Sequence, residues 1–154
     1  MMNDEYRSQI KKYLTLATEQ DQLDHWFAYL SGGSLELGPI ETSTLHQCSI
    51  HLGAHTFSKL VPQISNIFKD HIYRERYAVW IDIITAAPLS TVDQLAIENK
   101  MLKRFKVKKT YTLIRVMESI IGGMIIEIHG YVIDASLQHE IQKALRKAIS
   151  GIII

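Results

Sequence analysis

Ile83-Ile-Thr-Ala-Ala-Pro-Leu-Ser90 and Ile120-Ile-Gly-Gly-Met-Ile-Ile-Glu-Ile-His-Gly-Tyr-Val-Ile-Asp-Ala-Ser136 decide the fold of this chain. Ala78–Ala86 is rich in Val, Trp and Ile, broken only by Asp82, and reads as a strand that Pro88 ends. Ser90-Thr91-Val92-Asp93 matches a capping box. The helix that follows is expected to set Val92, Leu95, Ala96, Leu102 and Phe105 on one side. Thr110–Val116, Met124–His129 and Tyr131–Asp134 read as three further strands, with Gly130 turning the chain at a positive φ. Ser136 can cap a last helix whose inner side carries Leu137, Ile141, Ala144, Leu145 and Ala148. The second half is therefore β-α-β-β-β-α.

Before residue 77 the pattern is helical. Tyr6, Ile10, Tyr13, Leu14 and Ala17 recur on one face after Asn3 and Asp4 as candidate caps. Asp21 is expected to cap a short helix carrying Leu23, Trp26, Phe27 and Leu30. Ser31-Gly32-Gly33-Ser34 and Gly38-Pro39 punctuate the chain. Leu45, Cys48 and Leu52 mark a third helix that Gly53 ends. Phe57, Leu60, Val61, Ile64, Ile67, Phe68 and Ile72 mark a fourth, placed to start near Ser58 because Pro62 is tolerated only in a first turn. Helices this short must bury their stripes against one another, which makes a bundle. The fold class is α+β, an all-α bundle over residues 1–77 followed by a small mixed domain over 78–154.

Composition narrows the function. Of 154 residues, 47% are hydrophobic and 21% charged, enough for a packed core. The net charge of +1 gives no global pull toward nucleic acid or anionic lipid. Residues 1–77 carry 7 Lys/Arg against 9 Asp/Glu and residues 78–154 carry 10 against 7, so an acidic partner for the second half is conceivable. A single cysteine, Cys48, excludes an internal disulfide framework and suits a reducing compartment. No apolar run approaches the ~18–20 residues that span a bilayer. The start, Met-Met-Asn-Asp-Glu, lacks the apolar region of a secretory signal and is too acidic for an organellar transit peptide.

Chemistry-bearing clusters are sparse. His46, Cys48, His51 and His55 match no zinc-ligand spacing, and Gly53 interrupts the helix that would align the last two histidines. Gly122 and Gly123 lack the Gly-x-x-x-x-Gly-Lys pattern of a phosphate cradle and precede a strand, so a pre-strand turn or bulge is the reading. Asp134 and Ser136 have no histidine placed beside them, and capping is their default role. Lys103, Arg104, Lys106, Lys108 and Lys109 form one dense basic cluster, read as solvating a helix end and opposing its dipole. It also motivates a different reading, a small RNA- or ligand-binding module, although the stacking aromatics of an RNA-binding sheet are missing.

The ordered set Thr85, Ala86, Pro88, Leu89, Ser90, then Gly122 and Gly123, then Val132-Ile-Asp134-Ala-Ser136 resembles the carboxy-terminal region of the ATP synthase delta (oligomycin-sensitivity-conferring protein) family over residues 83–149. Ala135 stands where that family usually has glycine, and Met117-Glu118-Ser119 where it usually has Asp-Pro. The resemblance implies a non-catalytic stator without cofactor or metal, on the cytoplasmic face of a bacterial membrane. In that family the helical half grips amino-terminal segments of alpha subunits, the carboxy-terminal half holds the ends of b-subunit helices, and nucleic acid plays no part.

Overall fold

The computed structural model describes residues 2–32 and 43–135, with Lys143, Ala144 and Lys147 beyond them. The chain divides into two compact units, Met1–Arg76 and Tyr77–Ile154.

The first unit packs five helices among the described residues: α1 (Asp4–Glu19), α2 (Leu23–Leu30), α3 (Thr44–Leu52), α4 (Ala54–Lys59) and α5 (Val61–Arg76). Asn3 caps α1, its side chain accepting the Tyr6 amide at 2.8 Å. The expected stripes meet as a core of Ile10, Leu14, Trp26, Leu45, Cys48, Phe57, Ile64, Phe68 and Ile72, all at most 1% exposed. Phe57 lies against Trp26 at 6.5 Å and Tyr29 at 5.6 Å between ring centroids. Gln9 Oε1 is buried without a hydrogen-bond partner among the described residues, but other polar groups inside are paired. Trp26 Nε1 donates to Thr44 Oγ1 at 3.0 Å, and the Thr44 amide donates to Gln22 Oε1 at 2.8 Å.

Two expectations for this unit need correction. Asp21 does not cap α2. It takes a left-handed conformation (φ 56) and closes α1, with Gln22 N–H bonding to Ala17 C=O at 2.7 Å and Asp21 N–H to Thr18 C=O at 3.4 Å. That pair of bonds is a Schellman ending with aspartate where glycine is commoner, and Gln22 occupies the N-cap position instead. The helix expected to run from Ser58 is two helices, α4 and α5, meeting at Leu60. Pro62 has no N–H to offer Ser58, so the helix stops and restarts with proline among the first-turn amides that need no partner. Gly53 (φ 87) ends α3 as expected.

The second unit contains β1 (Ala78–Thr85), α6 (Thr91–Phe105), β2 (Lys109–Val116), β3 (Met124–Ile128) and β4 (Tyr131–Asp134). They form a mixed sheet in the order β2-β1-β3-β4, with β1–β2 parallel and the other pairs antiparallel. This is the α+β layout the pattern predicts. The central strand is buried on both faces, as a run apolar but for Asp82 and Thr85 demands. Paired residues share a face, so Val79, Ile81 and Ile83 lie with Thr112, Ile114, Ile126 and Ile128. The β3–β4 turn is His129-Gly130 with both φ positive (46 and 83), the requirement of a two-residue I′ hairpin.

α6 covers the Ile81–Thr112 face, but with a different side from the one expected. Met101 is buried and Ile97, Leu102 and Phe105 are half-buried, whereas Val92 is 77% and Leu95 53% exposed and Ala96 is exposed. The inward side is chosen by anchors rather than by hydrophobicity. Glu98 Oε1 accepts from Thr112 Oγ1 at 2.7 Å and from Gln94 Nε2 at 3.0 Å, which turns positions 94, 98, 101 and 105 toward the sheet. The predicted last helix from Ser136 falls outside the described residues except at Lys143, Ala144 and Lys147, which are helical and exposed, so Ala144 does not face inward as expected; Gly33-Ser34, Gly38-Pro39 and the tail Gly151–Ile154 also lie outside them.

Candidate docking surfaces

Of the motif residues Thr85, Ala86, Pro88, Leu89, Ser90, Gly122, Gly123, Asp134 and Ser136, all but the last converge on one end of the sheet. β1 and β2 run parallel and finish there, β3 begins there, and β4 finishes there. Thr85 is the last residue of β1, 3% exposed, and its Oγ1 has no hydrogen-bond partner among the described residues. The Thr85 carbonyl accepts the Met117 amide at 2.8 Å, and the Ala86 amide donates to the Gly123 carbonyl at 3.4 Å. Gly122 (φ 64) and Gly123 (φ 74) need the left-handed region to bring the β2–β3 connection back against β1. Pro88 is exposed, Leu89 half-buried, and Ser90 Oγ accepts the Asp93 amide at 3.1 Å to start α6. Asp134 pairs in register with Ile125, and the next amide, Ala135 N–H, donates to Met124 C=O at 2.9 Å. Ser136, the ninth, lies outside the described residues.

Around this scaffold the surface is apolar. Val92 and Leu95 at the start of α6, Val116 at the end of β2, and Met117 and Ile121 in the connection are between 44% and 77% exposed. Five large apolar side chains gathered at one end of a small unit are unusual for a free surface and mark a contact region. The glycine and proline signals located the backbone of this end. The apolar rim was missed because Val92 and Leu95 were assigned to the core.

The first unit presents a groove between α1 and α5, made of two adjoining hollows of about 320 and 310 Å³ that share Lys11, Ile67 and Asp70. Arg7 and Thr15 line it from α1, and Asn66 and His71 from α5. Thr18 Oγ1 donates to Leu14 C=O at 2.9 Å, so it accepts from His71 Nε2 at 2.8 Å, tying the two walls together. Burial lowers the His71 pKa, opposed by Glu75 and then Asp70, with Arg76 acting in the same sense as burial. Sequence periodicity found the two helices but not the groove, because its polar walls sit opposite the stripe that periodicity detects.

The His46–His55 cluster is not assembled as a site. Cys48 is fully buried with its thiol pushed up to about 12, and His51 Nδ1 is instead 3.0 Å from the Tyr13 hydroxyl. Among the described residues no three His, Cys, Asp or Glu side chains are grouped to hold a metal ion, and no helix is long and apolar enough to cross a membrane.

The family model for the ATP synthase delta (OSCP) subunit matches residues 52–148. The chain belongs to that family. A curated relative, ATP synthase subunit delta of Methylococcus capsulatus, is 28% identical over 88 residues, covering 57% of this chain and 49% of its own. The chain thus spans about half the length of the curated delta relative it matches. Among solved structures, a chain of the Toxoplasma gondii mitochondrial ATP synthase hexamer aligns over 96% of this chain and 98% of its own, at a TM-score of 0.55 and 12% identity. A chain of the Polytomella F-ATP synthase covers 48% of this chain and 94% of its own at a TM-score of 0.43 and 19% identity. The Toxoplasma alignment is a likeness of fold that takes in residues of both units.

Proposed function

We propose that this delta-family chain is a stator of a rotary F-type ATP synthase, a non-catalytic connector in the peripheral stalk between the catalytic head and the membrane sector. Residues 1–77 form the half that takes amino-terminal segments of alpha subunits, and residues 78–154 the half that holds carboxy-terminal helices of b subunits. The protein then sits at the cytoplasmic face of a bacterial cell membrane without entering it. The observation that carries this reading is the family match over residues 52–148 combined with two surfaces suited to helices. A groove with an apolar floor at Ile67 and charged walls suits an amphipathic helix. The rim of Val92, Leu95, Val116, Met117 and Ile121 offers a second helix an apolar seat. A stator must resist torque, so it needs durable side-chain contacts more than reactive groups.

Calorimetric titration of the purified protein with the alpha amino-terminal peptide and the b carboxy-terminal peptide tests the proposal. Heat is expected in both. Val92→Ser/Leu95→Ser should weaken the b peptide alone, and Ile67→Asp the alpha peptide alone. Silence in both titrations overturns the reading.

A further inference from the structure

Four non-glycine residues among those described have a positive φ, and three of them lie at the end of the second unit opposite Thr85. Tyr77 (φ 49) leads into β1, Lys106 (φ 54) closes α6 and His129 (φ 46) opens the β3–β4 turn. Backbone strain of this kind collects at surfaces with work to do. Each of the three carries an exposed side chain where glycine would sit with less strain.

The same end holds five cations in seven residues, Lys103 to Lys109. They are fixed to the sheet rather than hung on a fraying helix. The Lys108 amide donates to Tyr77 C=O at 2.6 Å, Lys108 Nζ stands 5.7 Å over the Tyr77 ring, and Lys109 Nζ stands 4.6 Å over the Tyr111 ring. The Phe105 and Tyr131 rings meet at 5.9 Å, tilted by 59°, and join the end of α6 to β4. A helix dipole accounts for Lys103 and Arg104 in the last turn. It does not account for Lys108 and Lys109, which follow the helix. Neither the Arg74–Asp70 nor the Arg115–Asp82 ion pair draws on Lys103, Arg104 or Lys106.

We propose that this basic pole, Lys103 to Lys109 with the exposed Tyr77 beside it, docks an acidic segment of a partner protein. Charge complementarity names the chemistry: the excess of Lys/Arg in residues 78–154 is gathered here, and Glu or Asp side chains would pair with it. A long phosphate polyanion fits less well, because residues 1–77 carry more Asp/Glu than Lys/Arg and the whole chain is near neutral. Tyr77, 59% exposed, adds the amphipathic ring that protein interfaces favour. The pole is at the other end of the unit from the apolar rim, so the inference is independent of the stalk reading.

The full-length protein is titrated with a labelled Glu/Ala helical peptide by fluorescence anisotropy at low and at raised salt, alongside a Lys/Ala counterpart. Saturable binding of the acidic peptide, weakening as salt rises, is expected. Lys103→Glu/Arg104→Glu/Lys106→Glu should lower the affinity at least about tenfold, while Val92→Ser/Leu95→Ser leaves it unchanged. Lys106→Gly guards against misfolding: it removes one charge and relieves the left-handed backbone, so weaker binding with an undiminished melting temperature supports the proposal. No binding at low salt overturns it, as does unchanged affinity in the triple variant. Tighter binding of polyuridylate RNA or of phosphatidylglycerol vesicles than of the peptide overturns it too. None of these results alters the alpha- and b-peptide titrations.

Discussion

Trp80 and Asp82 lie two residues apart on β1, and the Trp80 indole N–H donates to Asp82 Oδ1 at 2.9 Å inside the sheet. Asp82 is 7% exposed, and the same oxygen is 3.6 Å from an Arg115 guanidinium nitrogen whose side chain is more than half exposed. The indole hydrogen bond, shielded from solvent, contributes more to stability than the solvated ion pair. Asp82→Ala removes the acceptor from a buried N–H and is expected to cost about 1–3 kcal/mol. Asp82→Asn keeps an acceptor oxygen and should lose less. Urea unfolding followed by tryptophan fluorescence measures both.

The lowered His71 pKa makes the helical unit sensitive to acid. An unfolded histidine takes up its proton near pH 6.5, above the folded value, so between the two the unfolded state binds more protons. The His71 contribution is therefore complete above about pH 6.5, diminishes as the pH falls below it, and levels off beneath the folded pKa. His71→Gln, whose amide can still donate to Thr18 Oγ1, should remove this part of the dependence. Urea midpoints at neutral and mildly acidic pH for the two proteins give the comparison.

Cys48 is buried and its thiol is raised to about 12, so the thiolate that reacts is scarce in the native protein. Native protein at pH 8 should resist a disulfide reagent, and the same protein in guanidinium should release one equivalent of chromophore promptly. Rapid labelling of the folded protein would contradict the burial.

Lys106 holds a left-handed backbone at the end of α6, with Val107 N–H bonding to Leu102 C=O at 3.1 Å. Such a conformation costs a side-chain-bearing residue roughly 1–2 kcal/mol, and glycine gives part of that back in unfolded-state entropy. Lys106→Gly is expected to stabilise the protein by up to about 1 kcal/mol, read as a higher melting temperature. Lys106→Val should do the opposite.

Backbone signals were the legible part. Gly53, Pro88, Gly130 and the Gly122-Gly123 pair act within a few residues, and the structure turns or stops the chain at each one. Strand limits were read within a residue for the same reason. Side-chain facing was harder. On α6 the apolar residues Val92 and Leu95 fit a core face by pattern, yet the Thr112–Glu98–Gln94 hydrogen-bond chain fixes the rotation, and that contact lies 14 residues away in sequence. Asp21 showed the same limit locally, since a Schellman ending and an N-cap both suit aspartate after a helix. The α1–α5 groove depended on how two distant helices pack, which no periodicity encodes.

The central place of β1 has a consequence for biosynthesis. β1 emerges from the ribosome before either of its neighbours in the sheet, β2 at residues 109–116 and β3 at 124–128, has followed it out. Until then Val79-Trp-Ile-Asp-Ile-Ile84 is a nascent apolar ribbon with both edges open, the kind of segment chaperones capture and aggregates recruit. Slowing synthesis between the emergence of β1 and that of β3 would lengthen that exposure, so soluble yield should be more sensitive to translation speed in that interval than during synthesis of the helical half.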